Sequence, residues 1–303
     1  MAKTLRKIEP KRLMAVSRME LVARQAVEGV LAGRHPSPFH GSSVEYADHR
    51  PYTIGDEIRS LDWKLLAKTD KHYVKLFEDQ TNLRCNILLD TSRSMSFRGT
   101  AGDAQRLSKC DYAAHLAAAL GYLMLRQNDA VGLAMFDHQL RHFLPPRSTA
   151  THFRHMLERL ETTPPHEQSN MGPVMHALAG RLKRRGLVLL LSDLLDDTDA
   201  MLHALGHLRH RGHEVIVFHI MDPDELSFPY DRLTRFKDIE GQGTVVANPA
   251  NVRKQYMERL DAFLNKVKRG CHERDADYVL ASTDMPWDRM LNAYLGKRHR
   301  ITN

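Results

Sequence analysis

Downstream of residue 83 the apolar positions fall into short unbroken runs, separated by stretches in which they recur every three or four residues. Ala130–Phe136, Leu187–Leu191 and Glu214–Ile220 are largely apolar from end to end, the pattern of strands buried on both faces. Arg84–Leu89, Leu140–Leu144 and Asp277–Ala281 predict three further strands. Between them the helical period predicts helices over Ala104–Gln127, Thr151–Leu160, Gly172–Arg184, Ala200–Arg211, Asn251–Glu273 and Trp287–Leu295. Apolar strands alternating with helices imply an α/β fold, a doubly wound, mostly parallel sheet covered on both faces.

Upstream the pattern differs. Met14–Leu31 predicts an amphipathic helix, stopped by Gly33 and by Pro36 and Pro38. A segment dense in charge and aromatics follows, with one strand at Tyr73–Glu78. The chain therefore reads as a basic N-terminal helix and linker over 1–40, a segment over 41–79 that packs on the core, and a main domain over 80–303. The main domain carries an insertion near 223–250, with a hairpin turning at Gly241-Gln242-Gly243.

With 303 residues, a sizeable core is within reach. No apolar run is long enough to span a membrane, and the basic N-terminus lacks the apolar stretch of a secretory signal. Cys85, Cys110 and Cys271 are odd in number and far apart, so neither a disulfide framework nor a zinc site is expected. A cytoplasmic protein is the simplest reading. The net charge of +7 gathers in Lys3–Arg34, Arg181–Arg185, His207–His213 and Lys297–Arg300. Without a recognisable nucleic-acid-binding motif these read as solvated helix faces, and nucleic-acid or membrane-surface binding through the N-terminus is the lesser alternative.

The chemistry sits where the first central strand ends. Asn86-Ile-Leu-Leu-Asp90 runs into Thr91-Ser92-Arg93-Ser94, and in an extended loop residues two apart point the same way. Asp90, Ser92 and Ser94 can then converge as hard oxygen ligands for Mg²⁺ or Mn²⁺. A later buried strand, Leu189-Leu-Leu-Ser192, ends in Asp193. In doubly wound sheets ligands bind beyond the carboxyl ends of strands at the switch point, so both carboxylates are expected to face one crevice. One carboxylate and two hydroxyls leave such an ion undercharged and attractive to an outside Asp or Glu.

These residues resemble a von Willebrand factor type A domain, over about Tyr73 to the C-terminus. The resemblance implies a Rossmann-like fold and a metal-ion-dependent adhesion site built on Asp90, Ser92, Ser94 and Asp193. Its second loop corresponds to Gln168-Ser-Asn-Met-Gly-Pro-Val-Met175, which puts Ser169 where a threonine is usual; Thr162, Thr163 and Asn170 are alternative donors. Upstream, Tyr46, then Tyr52-Thr-Ile-Gly-Asp-Glu-Ile-Arg-Ser-Leu-Asp-Trp-Lys-Leu-Leu-Ala67 and Val74-Lys-Leu-Phe-Glu78 resemble the bacterial "domain of unknown function 58" family. That resemblance implies association with a MoxR-type AAA+ ATPase, and so a non-enzymatic adaptor in chaperone-like protein maturation. The alternative is a metal-dependent phosphotransferase with Asp90 as nucleophile. It lacks a second Asp two residues on, where Ser92 stands, and no phosphate-binding glycine loop is present.

Overall fold

Among the described residues, the first 82 positions supply one long helix, one short helix and a pair of strands. In a computed structural model of the chain, the residues described are 10–33, 47–53, 63–69, 72–76, 83–99, 106–165, 170–239 and 243–301. Two compact units form, one of residues 35–82 and one of residues 1–34 with 83–303. Helix α1 (Pro10–Gly33) belongs to the larger unit. Its buried stripe of Met19, Ala23, Val27 and Val30 recurs at helical spacing and joins the main core. The smaller unit holds β1 (Ala47–Pro51), α2 (Trp63–Thr69) and β2 (Tyr73–Leu76), with β1 and β2 paired antiparallel. Residues 54–62 of the family-specific motif lie outside the described residues.

The apolar runs become one six-stranded sheet. β3 (Arg84–Asp90), β4 (Ala130–Phe136), β5 (Leu140–Arg147), β6 (Leu187–Ser192), β7 (Glu214–Met221) and β10 (Asp277–Ser282) lie in the order β10-β7-β6-β3-β4-β5. All pairs are parallel except β4 with β5. The expected doubly wound, mostly parallel sheet is therefore present, with its antiparallel strand at one edge. Strand order reverses beside β3, so the carboxyl ends of β3 and β6 meet at the switch point.

Helices α3 (Lys109–Arg126), α4 (Ala150–Thr162), α5 (Met171–Arg181), α6 (Thr198–His210), α7 (Pro223–Ser227), α8 (Pro249–His272) and α9 (Trp287–Ile301) complete the chain. One cluster, with α1, α3, α4 and α9, covers one face of the sheet, and a second, with α5, α6 and α8, covers the other. Caps place several helix starts. The Ser108 side chain accepts from Asp111 N, which begins α3 at Lys109 rather than at the expected Ala104. Thr149, Asp197 and Asn248 cap α4, α6 and α8 in the same way. In the expected insertion, β8 (Thr234–Lys237) and β9 (Thr244–Ala247) form a hairpin. Residues 240–242 of its turn lie outside the described residues. No described helix is long and apolar enough to cross a membrane.

One glycine sets how closely the edge strand approaches. A Cβ on Gly132 of β4 would lie 2.7 Å from Leu144 O and 2.9 Å from Pro146 N. Gly132→Ala is expected to push β5 outward and cost about 1–3 kcal/mol. Urea denaturation checks this, and an unchanged midpoint would mean that β5 yields freely.

Candidate metal centre

The carboxyl end of β3 carries Asp90, wholly buried. Its Oδ1 accepts from Ser92 N at 2.8 Å, and its Oδ2 accepts from the Ser192 hydroxyl at 2.6 Å. Ser192 ends β6, and its Oγ also accepts from Leu194 N at 2.9 Å. The two strand ends are thus stitched together through one serine. Thr91 turns the other way, donating N–H and hydroxyl to Phe136 O at the end of β4.

The loop after Asp90 is not extended throughout. Ser92 is extended, at φ −65° and ψ 163°, but residues Arg93–Ser96 form a 3₁₀ turn. Met95 N bonds to Ser92 O and Phe97 N to Ser94 O, and the fully buried Met95 anchors the turn in the core. Ser92 and Ser94 nevertheless converge, with their Oγ atoms 3.1 Å apart.

Asp193 is buried beside this group but faces a cation. Its Oδ2 accepts from Lys109 Nζ at 2.8 Å, and its Oδ1 from Leu195 N at 3.2 Å. Lys109 is fully buried and is also 2.8 Å from Glu225 Oε1. The Asp193 carbonyl is 2.9 Å from His219 Nε2, whose Nδ1 is 2.8 Å from the Tyr278 hydroxyl. Burial pushes the His219 imidazole down to about 4, so the ring is neutral near pH 7. Behind them Arg106 spans Asp222 and Asp224 at 3.1 and 2.8 Å, and Asp222 also accepts from Gly99 N at 3.0 Å.

The two strand-end carboxylates therefore differ. Asp193 has an internal counter-ion, whereas Asp90 has no basic partner among the described residues. Burial, and then the nearby Asp193 charge, push the Asp90 carboxyl up to about 7, against the pull of its bonds from Ser192 and Ser92. A buried carboxylate held this way is short of one positive charge.

That deficit fits a hard divalent ion. Mg²⁺ sits 2.0–2.1 Å from its ligands, which sets neighbouring oxygens about 3 Å apart, and the Ser92 and Ser94 hydroxyls already have that spacing. No group of three or more His, Cys, Asp and Glu side chains among the described residues is arranged to hold a metal. An ion here would depend on hydroxyl as well as carboxylate oxygens.

Of the expected site residues, Asp90, Ser92, Ser94 and Asp193 lie together at the switch point, and Ser169 lies outside the described residues. Among the alternatives, the Thr162 hydroxyl donates to its own helix at Glu158 O, and Asn170 is the N-cap residue of α5 with no side-chain cap bond. Sequence reasoning missed Ser192, Lys109 and Glu225. Ser192 was in view as the last residue of an apolar run. The two charged residues gave no such sign, because Glu225 lies 116 positions from Lys109.

A family model and several known proteins are similar to this chain. The model of the family described as "Protein of unknown function DUF58" matches residues 48–263. The uncharacterized protein Rv1480 of Mycobacterium tuberculosis is 28% identical over 298 residues, spanning 96% of this chain and 91% of that protein. Among solved structures, the conserved hypothetical protein BatB from Bacteroides thetaiotaomicron is similar at TM-score 0.46 and 18% identity, over 72% of this chain and 99% of that one. The SpRpn10 VWA domain is similar at TM-score 0.38 and 10% identity, over 70% and 95%. The family match runs from the second residue of β1 past Asp90, Ser92, Ser94 and Asp193 to residue 263, and this chain belongs to the DUF58 family.

Proposed function

We propose that this protein is a non-enzymatic, metal-dependent protein–protein interaction module. A von Willebrand type A-like fold in this family suits a protein-interaction role. The finer reading is that Asp90, Ser92 and Ser94 hold Mg²⁺ or Mn²⁺, with Asp193 and Ser169 completing the set. A bound ion would attract an Asp or Glu of the partner as a further oxygen ligand. The observation that carries this reading is the buried Asp90 carboxylate without a cation, beside two hydroxyls at octahedral spacing. Leu195, 46% exposed on the turn after Asp193, offers apolar contact next to it. The partner we favour, from the family resemblance, is a MoxR-type AAA+ ATPase, with the pair acting in chaperone-like maturation of other proteins.

Capture from native lysate tests this, with wild type and Asp90→Ala as bait, each in Mg²⁺ and in EDTA. An AAA+ ATPase retained at least tenfold better by wild type in Mg²⁺ than in the other three arms is the expected result. The same proteins in all four arms would remove the metal from the interaction.

A further inference from the structure

Lys109 breaks two local rules at once. It is the first residue of α3, where the helix dipole disfavours a cation, and it is buried completely, where a charge persists only if paired. Such departures are expected where function requires them. Its ammonium lies 2.8 Å from both Asp193 Oδ2 and Glu225 Oε1. The two carboxylates are not equivalent. Glu225 is fixed by α7, where its Oε2 accepts from Asp222 N at 2.9 Å as half of a capping box. Asp193 lies at the switch point beside Asp90, on a turn in which Leu194 takes φ 56°.

We propose that Lys109 is a built-in rival of the divalent ion for Asp193. With Lys109 on Asp193, the site offers the ion Asp90 and two hydroxyls. With Asp193 turned toward the ion, Glu225 alone retains the lysine. This inference rests on the metal reading above and adds a residue that sets its strength. Lys109 keeps the ion loosely held and short of negative charge, and an acidic side chain from outside can make up that deficit.

Replacing both members of the outer pair, Lys109→Met with Glu225→Gln, removes one positive and one negative charge together and frees Asp193. Isothermal titration with Mg²⁺ alone should then show binding about tenfold tighter than wild type, within the ordinary range of coupling at one site. In an Asp90→Ala background that binding should disappear. Glu225→Gln by itself is the milder variant should the pair fail to fold. It leaves Lys109 with Asp193 only, so Mg²⁺ should bind several-fold more weakly than to wild type. Equal affinities across wild type and variants would overturn the lysine's role and leave the metal reading standing. Absence of Mg²⁺ binding in every variant and in wild type would overturn the metal reading, and the lysine's role with it.

Discussion

Lys109→Met is expected to destabilise the fold by about 3–5 kcal/mol, the usual consequence of removing one partner from a buried ion pair. The replacement is of similar length and apolar, so packing changes little. What changes is that the buried Asp193 and the partly buried Glu225 lose the cation lying 2.8 Å from each. Burial alone would lower the Lys109 pKa, but the Asp193 and Glu225 charges and their hydrogen bonds outweigh it and leave the value raised. A raised lysine contributes its stability below its ordinary pKa and loses it only in strong alkali, so the whole effect is present at neutral pH. Urea denaturation at pH 7 should show a lower midpoint with an unchanged slope. The exposed Arg24–Glu28 pair is the natural control, since solvent screens it. A loss for Lys109→Met no larger than that of Arg24→Ala would mean that water reaches the pair.

How far the sequence reveals this arrangement depends on which force positions each residue. Strands buried along nearly their whole length are legible from apolar runs, and Ala130–Phe136 is recovered end to end. The edge strand is read too short, at Leu140–Leu144, because Pro145 and Pro146 look like a stop. They are tolerated as far as Arg147 because an edge strand leaves one row of backbone groups unpaired. α7 is missed because it is five residues long and held by a capping box on Asp222 and Glu225 rather than by an apolar stripe. β1 is missed because its sequence, Ala-Asp-His-Arg-Pro, has no strand-like alternation. At the site, Asp90, Ser92 and Ser94 are legible since one loop carries them all. The counter-ion is not, because a lysine in a sequence is read as solvent-facing, and only the packing of α3 on the sheet buries Lys109.

The pH dependence of stability separates Asp90 from the paired acids. A carboxyl raised from the ordinary range to about 7 binds more protons in the folded than in the unfolded chain between roughly pH 4 and 7. Stability in EDTA should therefore fall as pH rises through that window and level off above it. The full cost of ionising Asp90 is on the order of 4 kcal/mol, at about 1.4 kcal/mol per pH unit. Burial pushes the Glu225 carboxyl up as well, opposed by Lys109, which adds slope of the same sign to wild type and variant alike. The difference between wild type and Asp90→Asn isolates the one group. Asparagine removes the charge but can accept from only one of Ser92 N and Ser192 Oγ, so part of the gain is lost. In EDTA at pH 8, Asp90→Asn should be more stable than wild type by on the order of 2 kcal/mol, and at pH 5 the advantage should largely vanish. Adding Mg²⁺ should flatten the wild-type curve, since an ion at Asp90 balances the charge that protons balance at low pH, and should leave the variant unmoved. Parallel wild-type and variant curves in EDTA would mean that Asp90 titrates as an ordinary carboxyl, and the vacancy in charge on which the metal site rests would not exist.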